Sequence, residues 1–322
     1  MSSDYHIPVM LREAMDGLDI WSEGVYVDVT FGGGGHSRAI LERLGSEGRL
    51  FAFDQDADAQ ANAIDDPRFT LIGENFRYLR NYLRLYGVKQ VDGVLADLGV
   101  SSHQIDTAGR GFSTRLEGEL DMRMNSRSGI TARQVVNGME EGALAEVLRL
   151  YGELPNARQM ARAIVRAREE KEIVSTGDLR DAVVRLLPRG RENKVLAMLF
   201  QALRIEVNGE LDALREMMGQ AIELLREPES DGLEGLKMHG GRLVVISYHS
   251  LEDRIVKNFM KSGNAEGVVE KDFYGNVLSP IKPLCRCEAS DEEVVANGRA
   301  RSARLRVGEK TAVDKEGRDQ RR

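Results

Sequence analysis

Apolar and polar positions follow two rhythms along this chain, short β-branched runs first and helical spacing afterwards. The run Val25–Phe31 (VYVDVTF) is rich in β-branched and aromatic residues, ends in glycines, and predicts a strand. A helix is expected next, with Ala39, Ile40, Leu41 and Leu44 on one face and Gly45 as its stop. Arg49–Asp54 (RLFAFD), Phe69–Gly73 and Val91–Leu98 (VDGVLADL) repeat the strand signal, with helical patterns between them. Strands alternating with helices predict an α/β fold with a parallel, doubly wound sheet.

The rhythm breaks after Val100. Residues from about 110 to 235 show amphipathic helical spacing and no strand, as in Asn156–Glu170 and Glu192–Leu225. A buried-strand run returns at Leu243–Ser247 (LVVIS), and Ala303–Val307 is one more candidate strand. The simplest organisation is a discontinuous α/β domain over 1–108 and 216–310, interrupted by an all-helical insertion over 109–215. Residues 311–322 lack apolar content and are expected to be disordered.

Charge changes the picture once it is divided. The whole chain carries a net −7. Residues 1–109 hold 9 basic and 17 acidic side chains, whereas 110–215 hold 18 and 16 and 299–322 hold 9 and 4. Positive charge is thus local to the middle third and the tail, where a phosphate-binding footprint would lie. Cys285 and Cys287 are the two cysteines; their CxC spacing suits neither an ordinary disulfide nor a complete zinc site, so free thiols and no metal are expected. No apolar run approaches the roughly 18–20 residues of a membrane span, and the first residues lack signal-peptide character. A cytoplasmic protein without membrane contact is expected.

The candidate chemistry starts at Asp28-Val-Thr-Phe-Gly32-Gly-Gly34-Gly35-His36, where the first strand meets the first helix. Glycines there allow a sharp turn and close approach by a ligand, beside the free N–H groups of a helix start. Asp54 ends the second strand, where an ionised acid can accept hydrogen bonds from ribose hydroxyls. The dinucleotide pattern GxGxxG fails, because Ser37 stands at the third glycine counted from Gly32. The spacing D-x-x-x-G-x-G is similar instead to the first motif of AdoMet methyltransferases.

Asp97-Leu-Gly-Val-Ser-Ser102-His-Gln104 follows the fourth strand. With HIPVM at 6–10, TFGGGGHS at 30–37, RGFS at 110–113, LDMRM at 120–124, FQALRIEVN at 200–208 and SYHSLEDR at 247–254, it resembles the bacterial 16S rRNA cytosine-N4 methyltransferases, the MraW/RsmH family. The resemblance covers most of the chain. It implies a Rossmann-like sheet, AdoMet as cofactor, and methylation of the exocyclic N4 of a cytidine in the decoding region of 16S rRNA in the small ribosomal subunit. It places cofactor contacts on Gly34, Gly35, His36, Asp54, Phe76, Asp97 and Gln104. The Pro-Pro-aromatic motif of DNA amino-methyltransferases is replaced by Leu98-Gly99-Val100, so their catalytic assignment does not carry over.

Candidates on the acceptor side are Asp97, Tyr248 and His249, the last two delivered by the strand end after Ser247. Tyr248 could stack on a splayed cytosine and His249 could accept a proton; alternatively HSLED only starts a helix, with Ser250 as N-cap and Asp253 at the third position. Arg158, Arg162 and Arg166 recur every four residues on one helix face, and with Arg110, Arg301 and Arg304 they are the candidates for RNA phosphate. Other readings stay open: a small-molecule or DNA methyltransferase, a non-catalytic rRNA-binding assembly factor, and association as a homodimer.

Overall fold

Seven strands hydrogen-bond into one sheet in the order β3-β2-β1-β4-β5-β7-β6. They are β1 (Val25–Asp28), β2 (Arg49–Phe53), β3 (Phe69–Ile72), β4 (Gly93–Asp97), β5 (Arg242–Ser247), β6 (Ile281–Glu288) and β7 (Arg304–Lys310). The computed structural model describes residues 8–228, 239–275 and 277–312. The pairs β1–β2, β1–β4, β2–β3 and β4–β5 are parallel, and β7 runs against both β5 and β6. This Rossmann-like order brings the carboxyl ends of β2, β1 and β4 side by side, and in such sheets ligands bind outside that edge.

Residues up to Gly99 and from Asp212 onward form one compact unit, and Val100–Leu211 forms another. In the first, α1 (Leu11–Leu18), α2 (Gly35–Leu41) and α3 (Leu79–Leu85) accompany the leading strands. Its main core joins Leu18, Tyr26, Ile40 and Leu50 to Leu95, Val244, Ile246 and Leu305. The central strands read as apolar runs because they are buried on both faces, with Leu243 to Ile246 wholly inaccessible.

The second unit is helical: α4 (Ser102–Asp106), α5 (Ala132–Gly138), α6 (Glu141–Leu150), α7 (Ala157–Glu170), α8 (Thr176–Val183) and α9 (Glu192–Asn208). Leu120, Met122, Val136, Leu148, Ile164, Leu179, Leu199 and Leu203 supply its separate core. Asn208 clamps the LDMRM segment, accepting from the Met124 amide at 2.7 Å and donating to the Met122 carbonyl at 2.8 Å.

The structure departs from the sequence reading in three places. The single helix expected over Glu192–Leu225 is two, because Gly209 (φ +57°) caps α9 in the left-handed region before α10 (Glu210–Leu224) begins. β6 carried no strand signal: it is an edge strand with one buried residue, Ile281, so alternation is absent from IKPLCRCE. HSLED does start α11 (Ser250–Ser262), but its cap is His249 with Glu252 at the third position, one residue earlier than Ser250 and Asp253. A last helix, α12 (Asp291–Ala296), precedes a 3₁₀ turn at Gly298–Ser302. Among the described residues no helix is long and apolar enough to cross a membrane. The expected disorder of 313–322, and the first two residues of HIPVM, lie outside the described residues.

Candidate active site

The glycine loop is a hydrogen-bonded scaffold before it is a ligand site. Asp28, at the end of β1 and 1% exposed, accepts from the Thr30 amide at 3.0 Å and the Ser37 hydroxyl at 2.7 Å. The Thr30 hydroxyl accepts in turn from the Asp97 amide at 2.6 Å, which ties the end of β4 to the loop. Asp54 reaches across from β2 and accepts from the Gly32 amide and the Asp56 amide, both at 2.8 Å. Gly32 (φ +51°) and Gly34 (φ +77°) take left-handed conformations, and a Cβ on Gly32 would point into open space. Gly35 serves another purpose. A Cβ there would lie 2.2 Å from the Pro8 ring, so Gly35 lets the N-terminal segment close onto the loop.

His36 is buried at 6% exposure and joins that segment to Asp97. Its Nε2 lies 3.1 Å from the Val9 carbonyl and its Nδ1 lies 3.7 Å from the Asp97 carboxylate. A carbonyl can only accept, so Nε2 carries the proton. A neutral ring would then turn a lone pair towards Asp97, and the contact is attractive only with a proton on Nδ1 or on the carboxylate. Asp97 also accepts a 2.7 Å hydrogen bond from the Tyr248 hydroxyl.

Burial pushes Asp28 above the usual carboxylate range, and raises Asp54 and Asp97 to about 6. In Asp97, His36 and the Tyr248 hydrogen bond pull the other way. Burial and the adjacent Asp97 carboxylate push the Tyr248 phenol up, so it stays a donor. Among the described residues no lysine or arginine pairs with Asp28, Asp54 or Asp97. Three acids around a glycine loop, with one histidine and no lysine or arginine beside them, suit a ligand that brings its own positive charge.

Phe76 follows β3 in a short 3₁₀ turn capped by Asn75, and it is half-buried rather than part of the core. Tyr248 packs beside Gly99 (φ +98°), whose Cβ would sit 3.4 Å from the ring. The His249 side chain accepts from the Glu252 amide at 3.4 Å, and Glu252, 3% exposed, accepts from the Tyr248 amide at 2.9 Å. Sequence reasoning missed Glu252; the only signal was its place three residues after a polar cap.

The other candidates belong to the second unit or the far end of the first. Gln104 is buried and forms a capping box with Ser101, its Oε1 accepting from the Ser101 amide at 3.0 Å. Arg110 donates to the Arg123 and Met124 carbonyls. Arg158, Arg162 and Arg166 lie exposed along α7, and Arg162 is 3.5 Å from Glu141. Arg304 is 3.4 Å from Asp253 and 3.6 Å from Glu288, whereas Arg301 is exposed. Cys285 and Cys287 are free thiols on β6.

The model of the MraW methylase family matches residues 3–311. A Parabacteroides distasonis protein described as ribosomal RNA small subunit methyltransferase H is 55% identical over 311 residues, covering 96% of this chain and 98% of that one. A Flavobacterium johnsoniae protein of the same description is 54% identical over 308 residues, covering 95% and 98%.

Proposed function

Since the chain belongs to the MraW methylase family, we propose that it methylates the exocyclic N4 of a cytidine in the decoding region of 16S rRNA, with AdoMet as methyl donor. The observation that carries this reading is the buried Asp28 with the half-buried Asp54 and Asp97, gathered at the ends of adjacent strands with no lysine or arginine paired to them among the described residues. AdoMet, when bound, supplies a methyl group activated on a positively charged sulfur. The acids, the open face at Gly32 and the half-buried Phe76 fit such a ligand in charge and polarity.

The residues divide the work. Gly34 and Gly35 shape the loop for the amino-acid portion, with His36 fixing the first turn of α2. Asp54 uses lone pairs left over after Gly32 and Asp56 to accept from ribose hydroxyls. Phe76 offers adenine an apolar face, and Gln104 holds the turn after β4. Asp97 meets the ammonium group. The amine of cytosine is a weak nucleophile, because its lone pair is delocalised into the ring. Placement in line with the methyl group therefore matters most. As the N–C bond forms the S–C bond would break, leaving a neutral thioether, and the amine proton would pass to Asp97, held in place by the Tyr248 hydroxyl. Tyr248 orients that carboxylate, and His249 fixes Tyr248 by capping α11. Arg158, Arg162 and Arg166, exposed along α7, supply the RNA-backbone face of the helical unit in this reading.

The test is methyl transfer from labelled AdoMet to small ribosomal subunits from cells lacking this protein, followed by nuclease digestion. Label in N4-methylcytidine is expected. Label only in another nucleoside would overturn the reading.

A further inference from the structure

A cleft of about 280 Å³ opens beside Tyr248, lined among others by Tyr248, His249, Glu288, Arg301, Ser302 and Arg304, with the Glu288 carboxylate already paired with Arg286 at 2.6 Å. Its size is at the small end for ligand clefts, which suits one nucleoside unit and excludes a duplex. Its walls differ in chemistry. One is the Tyr248 ring, whose hydroxyl is spent on Asp97 and whose face is left for an apolar or π contact. The other is the turn Gly298–Ser302, fixed by the Asn297 cap and by Ala300, 1% exposed, so its side chains stand on a firm support.

The arginines near this cleft are not equivalent. Arg306 is 2.7 Å from Asp253, and Arg304 is shared between Asp253 and Glu288. Their charge is already matched. Arg301 is exposed and, among the described residues, makes no hydrogen bond or ion pair, although four acids lie within the neighbouring α12 and β6 (Glu288, Asp291, Glu292 and Glu293). An unmatched guanidinium at the mouth of a nucleoside-sized cleft, one side chain away from Asp97, fits a phosphodiester group.

We propose that this cleft is the subsite for the acceptor nucleotide, with Arg301 holding its phosphate and Tyr248 lying against its base while fixing Asp97. This rests on the reading of the chain as an RNA methyltransferase and names where the RNA enters the site. Arg301 is then a substrate-positioning contact, whereas Arg304 and Arg306 are engaged by acids of the fold.

The experiment uses the full-length protein with Arg301→Gln and Arg301→Lys. It measures methyl transfer to unmethylated small subunits, RNA binding across a salt series, and AdoMet affinity. For Arg301→Gln, the expected result is a KM for subunits raised about tenfold and a salt dependence of RNA binding shallower by about one phosphate contact. AdoMet affinity should not change, and Arg301→Lys should recover part of the loss. An unchanged KM and salt slope in Arg301→Gln would overturn the proposal. If the wild-type protein transferred no methyl group while Arg301→Gln still lost RNA affinity, the subsite would stand and the proposed reaction would fall.

Discussion

The hydroxyl of Tyr248 donates a 2.7 Å hydrogen bond to Asp97, joining residues 151 positions apart at the ends of β5 and β4. The two strands are neighbours in parallel register, with Asp97 opposite Ile246, so the contact follows from the fold. It fixes one carboxylate oxygen and leaves the other facing His36 at 3.7 Å. Tyr248→Phe keeps the ring and removes the donor. A hydrogen bond to a charged group contributes about 1.5–3 kcal/mol, so turnover should fall roughly ten- to a hundredfold. The Asp97 carboxyl, losing a donor that favours its ionised form, should titrate higher, and the acid limb of the rate profile should move up in pH. A pH–rate profile of the variant checks both; an unaltered limb would remove Tyr248 from the site.

Asp54 and Asp97 at about 6 make cofactor binding depend on pH. Unfolded aspartates titrate near 3.9, about two units lower. The folded chain therefore holds these protons more tightly, which favours folding below about pH 4 and is lost as pH rises through about 6. A cationic ligand offsets that loss by binding the ionised acids. The rise in Tm produced by AdoMet should accordingly be much larger at about pH 7.5 than at about pH 5. Thermal unfolding with and without AdoMet at the two values decides it, and equal shifts would contradict it.

His249 is committed to the start of α11: its side chain accepts from the Glu252 amide, and its Nε2 is buried. A cap of this kind contributes about 1 kcal/mol, and asparagine serves as well as any residue there. His249→Asn should therefore keep most of the turnover, whereas His249→Ala should lower Tm and activity together. A hundredfold loss of kcat in a stably folded His249→Asn would instead make the imidazole a proton carrier.

Gly35→Ala should weaken both the fold and AdoMet binding, because the new methyl would meet the Pro8 ring at 2.2 Å. Forcing a methyl into a packed contact costs about 1–3 kcal/mol. Displacing Pro8 would also move Val9, whose carbonyl receives His36. Calorimetric titration with AdoMet and a thermal melt measure the two effects, and a variant matching the wild type in both would refute this use of Gly35.

Strands β1, β2, β4 and β5 were legible because burial on both faces leaves apolar runs in the sequence, whereas the edge strand β3 was legible from its β-branched and aromatic residues alone. β6 was not, since an edge strand with one buried residue has no pattern to show. One glycine, Gly209, turned a single apparent helix into two, and the helical spacing runs through it unchanged. At the site, Asp54, Asp97 and the glycines stood out by type and position. Their couplings did not: His36 to Asp97 and Tyr248 to Asp97 depend on which strand ends become neighbours, which a linear reading does not supply. Arg110 and Arg304 looked like free charge because sequence shows a cation but not the carbonyls or acids that engage it.

The most direct measurement is methyl transfer to unmethylated small subunits by the wild-type protein and Asp97→Asn side by side, with the product nucleosides separated. The wild type should place label in N4-methylcytidine, and Asp97→Asn should be slower by at least about a hundredfold, since a positioned proton acceptor typically contributes that much or more. N4-methylcytidine formed by Asp97→Asn at the wild-type rate would contradict the central role given to that carboxylate.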